Sequence, residues 1–253
     1  MKLKMVVLLI VILLVITLYD NKNKISSAKM EFRPNVESAI LKFIPSIEKA
    51  LDMLKKDKKV VHKQLSKSKY RREILSIGFP EAIRWNEFQD MIEIAIDETL
   101  YVKKGSDCAD FSIGYFQMKP SFVENLEKYV VEYELFKSNP ESKEIILNDK
   151  TESKNRLNRI NRLNSLEWQL VYLQIYWVVA NHKFRDLIFS NEEERLSFYA
   201  SAYNFGFTRP VTEIKKWQKN YLFPYGKNYK GQQMAYADIS MYFLKKYSYQ
   251  FFN

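Results

Sequence analysis

The sequence predicts a mainly α-helical protein, and three observations carry that expectation. Apolar residues recur at three- and four-residue spacing through much of the chain. Glycine and proline are scarce, 6 and 7 among 253 residues, which argues against turn-dense β-sandwiches, collagen and Gly-rich phosphate loops. No run of alternating residues marks a set of strands. Hydrophobic residues make up 47% of the chain and aromatic residues 15%, which excludes a disordered polypeptide.

The elements follow in order. Met1-Lys2-Leu3-Lys4 is short and positive, and Met5 to Leu18 runs without a charge. That run is shorter than the roughly 20 residues a membrane span needs, so it reads as the core of an export signal. Ser26-Ser27-Ala28 offers a cleavage point after Ala28, with an uncleaved anchor as the alternative. No cysteine lies close behind the run, which excludes a lipoprotein anchor. Residues 1–28 are thus a signal peptide or N-terminal membrane anchor, 29–79 a helical N-terminal appendage, and 80–253 the main domain. The protein is expected in the periplasm or cell envelope.

Residues 35–57 carry Ile40, Ile44, Ile47, Leu51 and Leu54, one apolar stripe on a helix that Pro45 should kink or split. Residues 87–100 repeat the pattern with Phe88, Ile92, Ala95 and Ile96. Residues 165–182 are apolar nearly all round, the mark of a central buried helix. Residues 192–204 open with three glutamates that suit a helix N-terminus and run on into Leu196, Tyr199, Ala200 and Tyr203. The tail, 232–249, again shows helical spacing. Between these, 137–164 is polar and reads as an exposed insertion. Arg156, Arg159 and Arg162 recur there every third residue, a pattern assigned to a surface helix over a nucleic-acid arm.

Lys and Arg number 40 against 30 Asp and Glu, a net charge of +10. Lys2, Lys4, Lys22 and Lys24 against Asp20 take three of those charges, so residues 29–253 keep +7. Such a surface suits an acidic wall polymer, anionic lipid or nucleic acid, and export puts nucleic acid last. The run Lys55-Lys56-Asp57-Lys58-Lys59 reads as solvated surface. Cys108 stands alone, so an intrachain disulfide and a Cys-cluster metal site are excluded, and His62 and His182 are far apart. Neither a metal nor a cofactor is expected.

The chemistry concentrates in two segments. In the first, Glu98-Thr99 ends an amphipathic helix and is followed by Ser112-Ile113-Gly114-Tyr115-Phe116-Gln117-Met118-Lys119-Pro120-Ser121-Phe122. Gly114 permits a turn closed to other residues, Gln117 offers both a donor and an acceptor, and Pro120 suits a helix start. The second is Ala202-Tyr203-Asn204-Phe205-Gly206, which taken alone is a helix end with Gly206 as terminator.

Together these segments resemble the lysozyme-like lytic transglycosylases, the soluble-transglycosylase and goose-type lysozyme superfamily. There a catalytic Glu precedes Ser or Thr, a Gly-Leu-Met-Gln element and a proline follow, and Ala-Tyr-Asn-x-Gly comes later. Glu98-Thr99, Gly114-Tyr115-Phe116-Gln117 with Pro120, and Ala202 to Gly206 match these elements in order. Tyr236 matches the tyrosine of a last motif, Glu-Thr-x-x-Tyr, whose Glu-Thr stands here as Gln232-Gln233. The likeness covers roughly residues 80–245, with Tyr115-Phe116 in place of Leu-Met and the 137–164 insertion lengthening the chain between motifs.

The resemblance implies a lysozyme-like helical domain that cleaves the β-1,4 bond between N-acetylmuramic acid and N-acetylglucosamine in peptidoglycan strands. It implies Glu98 as the single general acid and base, 1,6-anhydro products, and no cofactor. It places Gln117, Tyr203, Asn204, Tyr115, Phe116 and Met118 at the substrate and Gly114 and Gly206 at structural turns. Proton donation near neutral pH requires a raised pKa, supplied by burial against aromatic walls including Phe122. Asp107 or Asp110 would add a second carboxylate for hydrolysis, although both read as ordinary loop residues. The alternatives are a non-catalytic peptidoglycan-binding or envelope scaffold of the same fold, and a basic helical module held by residues 5–18.

Overall fold

A computed structural model describes residues 34–87, 91–231 and 233–252. The apolar run 5–18, the cleavage point at Ala28 and Gln232 lie outside the described residues. Ten α-helices follow one another there. They are α1 (Pro34–Lys56), α2 (Lys58–Leu65), α3 (Arg71–Glu87), α4 (Met91–Lys104), α5 (Pro120–Glu132), α6 (Glu152–Leu163), α7 (Leu166–Lys183), α8 (Glu192–Phe205), α9 (Val211–Trp217) and α10 (Tyr236–Lys246). Short 3-10 turns at Leu135–Lys137 and Pro140–Ile145 join α5 to α6, and a third, Ser248–Phe251, follows α10. Among the described residues there is no strand, only isolated antiparallel bridges between Ile113 and Met118 and between Phe223 and Met234. None of the described helices is long and apolar enough to cross a membrane.

The mainly α expectation holds, and the reasons are local. Thr151 caps α6 by accepting from the Lys154 N–H, and Asn191 caps α8 by accepting from the Glu194 N–H. Pro120 opens α5, whose first turn is held by Asp110: its carboxylate accepts from the Ser121 N–H at 3.0 Å and the Ser121 hydroxyl at 2.8 Å. Pro45 does not split α1, which stays one helix with the proline exposed and Ile40, Phe43, Ile47, Leu51 and Leu54 buried. In α4, Ile96 points outward at 65% exposure, and Tyr101 is buried.

Besides α8, whose residues from Leu196 to Tyr203 are all buried, two helices are buried along most of their length. One is α7, as its composition requires. The other is α3, in which every residue from Ile74 to Ile83 is buried. Gly78 and Pro80 lie inside it, and both are helix breakers by propensity. Burial on α1, α7, α8 and α10 holds the helix through them. The boundary placed between residues 79 and 80 falls inside α3. Residues on both sides, from Ile40 and Leu54 to Phe243, share one apolar core.

The polar stretch 137–164 is woven into the fold by its arginines. Arg159 reaches the Glu127 carboxylate on α5 from Nε at 3.0 Å and from Nη2 at 2.8 Å, and both residues are buried. It also donates to the Tyr101 hydroxyl, which donates in turn to Glu124. Burial disfavours the guanidinium charge, but the hydrogen bonds and charge of Glu127 outweigh it and hold Arg159 protonated. Arg156 donates to the Val102 carbonyl, and Arg162 donates to the Ile145 carbonyl and covers the Trp168 ring at 3.9 Å. All three arginines are spent on intramolecular contacts.

Removing one partner of a buried pair leaves the other charge uncompensated. Arg159→Met should therefore lower unfolding free energy by about 3–5 kcal/mol in denaturant titrations, and adding Glu127→Leu should recover most of that loss. A single-variant loss under about 0.5 kcal/mol, the range of a surface substitution, would contradict the buried pair.

Candidate functional site

The middle of α3 brings a carboxylate to the site that the sequence reading did not name. Glu81 is 4% exposed. Its Oε1 accepts from Asn204 Nδ2 at 3.0 Å and its Oε2 from Arg84 Nη1 at 3.2 Å. The Asn204 amide is oriented by its other end, since Asn204 Oδ1 accepts from the Trp217 indole N–H at 2.9 Å. An indole only donates, so the amide must turn its NH₂ toward Glu81. Burial pushes the Glu81 carboxyl above the usual carboxylate value. The charge of Arg84 and the bonds from Asn204 and Arg84 oppose that rise only in part.

Two cavities flank this cluster and share Arg84 and Asn204 in their walls. One, of about 330 Å³, is walled by Glu81, Ser112, Gln117, Met118, Phe122 and Tyr203, with Arg209 among its further residues. The other, of about 480 Å³, is walled by Trp217, Phe223, Tyr225, Lys227 and Tyr236. A larger cavity of about 750 Å³ lies between α7 and the turn at Pro140–Ile145, but Glu81 is not in its wall. Among the described residues, no three His, Cys, Asp or Glu side chains gather as metal ligands would.

The loop 112–118 is pinned from beneath by Gln169 of α7, which is fully buried. Gln169 Oε1 accepts from the Phe116 N–H at 2.9 Å, and its NH₂ donates to the carbonyls of Ile113 and Leu163. The Tyr203 hydroxyl donates to the Phe116 carbonyl at 2.8 Å, and the Tyr236 hydroxyl to the Ile77 carbonyl at 2.8 Å. Burial first, then the charge of Glu81, raises both tyrosines well above their ordinary value, so both stay protonated donors. Gly114 has φ +69°, and a Cβ there would run into the Gln169 amide and the Leu163 carbonyl. Gly206 ends α8 with φ +112° and its N–H on the Ala202 carbonyl at 2.9 Å.

The residues singled out from the sequence therefore divide. Gln117, Met118, Tyr203, Asn204 and Gly206 come together around Glu81, with Gly114 turning the loop below them. Gln117 holds φ +46° and donates to the Gly114 carbonyl at 2.9 Å. Phe116 is fully buried and reaches this site only through its backbone. Tyr115 turns elsewhere, its hydroxyl donating to Asp57 at 3.1 Å. Glu98 lies in the wall of neither flanking cavity. It is half-buried and accepts from Asn164, at the end of α6, at 2.9 Å. The stripe 87–100 leads into α4, which packs on α6 rather than on the Asn204 helix, and that carries Glu98 away. Asp110 is bonded at the start of α5 and also lies in the wall of the 330 Å³ cavity with Glu81, whereas Asp107 and Cys108 are exposed in the loop before it.

Glu81, Arg84, Trp217 and Gln169 were missed. The usable signal for Glu81 was a carboxylate amid an apolar run, Ile77-Gly78-Phe79-Pro80-Glu81-Ala82-Ile83, obscured by Gly78 and Pro80. Gln169 gave a similar signal as an amide within an apolar helix. No protein-family model, curated protein or solved structure matches the chain.

A carboxyl whose pKa is raised by folding favours the folded state most when protonated. Its contribution is complete below the ordinary value of 4.5 and is lost as pH rises through the folded value. Glu81→Gln keeps the hydrogen-bonding shape and removes that dependence. The Tm of Glu81→Gln relative to wild type should therefore rise progressively from pH 4.5 toward neutrality. A difference that stays constant or falls over that range would contradict a raised Glu81.

Proposed function

We propose that this chain is a glycan-cleaving enzyme of the lysozyme-like lytic transglycosylase type, with Glu81 as general acid and base. The observation that carries this reading is a buried carboxyl in a cavity wall, held above the usual carboxylate pKa and oriented by Asn204, which a second cavity shares. The role that resemblance gave to Glu98 passes to Glu81. Ala82 then stands where the family has Ser or Thr.

The chemistry follows from the neighbours. Protonated Glu81 donates to the bridging oxygen of a β-1,4 aminosugar linkage as that bond breaks. The carboxylate left behind is stabilised by Arg84 and by the Asn204 NH₂. It then accepts the proton of the C6 hydroxyl as that oxygen closes the 1,6-anhydro ring. Gln117 and Ser112 supply polar groups to the bound strand, and Phe122 and Met118 supply apolar wall. Peptidoglycan strands are the proposed substrate and the cell envelope the proposed location. The net charge of +10 supports an acidic polymer as partner.

A second reading, a glycan-binding scaffold without cleavage, draws support from Arg84. An ion pair at 3.2 Å favours the ionised carboxylate over the acid. Incubation with isolated sacculi separates the two. Wild type should release 1,6-anhydro muropeptides, Glu81→Gln should lose about 10²–10⁴-fold of that rate, and Glu98→Gln should keep it. Release unaffected by Glu81→Gln would overturn the assignment of Glu81, reducing-end products would indicate hydrolysis, and no release by wild type would favour the scaffold.

A further inference from the structure

The junction of α1 and α2 carries a basin of about 570 Å³ whose wall is five lysines and one histidine: Lys55, Lys56, Lys58, Lys59, His62 and Lys63. Like charges gathered on adjacent turns repel, so this clustering works against the fold unless an anion offsets it. The acidic neighbours cancel it only in part. Asp57, the one acid within the lysine run, is half-buried and accepts the Tyr115 hydroxyl at 3.1 Å. Asp52 engages Lys55 at 3.3 Å, and Glu167 engages Lys63 at 3.0 Å. Lys55, Lys56, Lys59 and Lys63 remain exposed.

We infer that this basin is a docking surface for an anionic phospholipid bilayer. Its wall offers cations without aromatic faces or amide groups, which fits a sheet of headgroup phosphates better than a shaped soluble ligand. Clusters of four to eight Lys or Arg on an amphipathic helix, or beside a membrane helix, read as binding sites for anionic lipid. The chain itself places an apolar run, Met5 to Leu18, ahead of α1. The 15 residues from Tyr19 to Arg33 have a contour length of about 50 Å. The 23 residues of α1 cover about 35 Å. An apolar segment inserted in a bilayer is therefore tethered closely enough for the basin to lie on the same surface. The Tyr115–Asp57 bond ties that surface to the loop 112–118, so docking would also fix how the Glu81 cavity faces the envelope.

The test uses the full chain incorporated in vesicles of phosphatidylcholine alone or mixed with phosphatidylglycerol, where the apolar run is served equally. Amine acetylation is followed lysine by lysine by mass spectrometry. The basin lysines should be labelled several-fold more slowly with phosphatidylglycerol present, with protection fading in high salt and Lys227 labelled alike in both. Equal labelling of the basin in both vesicles would overturn the inference. So would protection by soluble polyphosphate in phosphatidylcholine vesicles without protection by phosphatidylglycerol, which would assign the basin to a soluble polyanion.

Discussion

The arrangement depends on one chain of contacts, from the Trp217 indole through the Asn204 amide to the Glu81 carboxyl. Each link removes a freedom. The indole N–H fixes which end of the amide faces the acid, and the amide fixes how the acid lies in a helical segment, residues 77–83, that is otherwise apolar. A carboxyl at 4% exposure in such a helix would destabilise the fold without these partners and the Arg84 guanidinium. The same burial raises its pKa. The tension between desolvation and Arg84 sets whether the group is an acid or a charge, and thus whether the cavities beside it do chemistry.

The loop and the helices beside that carboxyl are tied together by several buried polar groups with defined partners. Gln169 carries the loop 112–118 from below and Tyr203 from the side, both through the Phe116 backbone. Tyr236 ties α10 to the α3 carbonyl at Ile77, one turn before Glu81. These bonds lie in a low-dielectric interior, where each is stronger and each lost partner costs more. The site therefore sits on rigid helices and on a loop whose backbone is bonded rather than free.

Much of the helical plan was legible because its signal is periodic. The stripe from Ile40 to Leu54 marked α1, and the unbroken apolar run marked α7. The glutamates before Leu196 marked α8. The two segments that converge on the site were legible too, since Gln117, Tyr203 and Asn204 do meet. The acid was not. Glu98 ends a helix with a plausible motif behind it, but its helix packs on α6, and periodicity alone does not say which neighbour a helix meets. Glu81 lay in a segment where Gly78 and Pro80 argued against a helix, and only tertiary burial overrides such propensities. The arginines of 137–164 misled in a different way. A regular basic pattern reads as surface until a buried carboxylate such as Glu127 is known to face it.

The lysine basin shows the complementary lesson, that a charge run read as ordinary surface gains meaning once its one acid, Asp57, is found turned toward Tyr115. The central claim nevertheless concerns Glu81, and its most direct test is a titration of that carboxyl. The protein would be labelled with ¹³C at glutamate side-chain carboxyls and followed by NMR across acid and neutral pH, with the Glu81 signal assigned by its loss in Glu81→Gln. A midpoint above 4.5 is the predicted result, and a midpoint at or below it, the mark of a carboxylate held ionised by Arg84, would contradict the account.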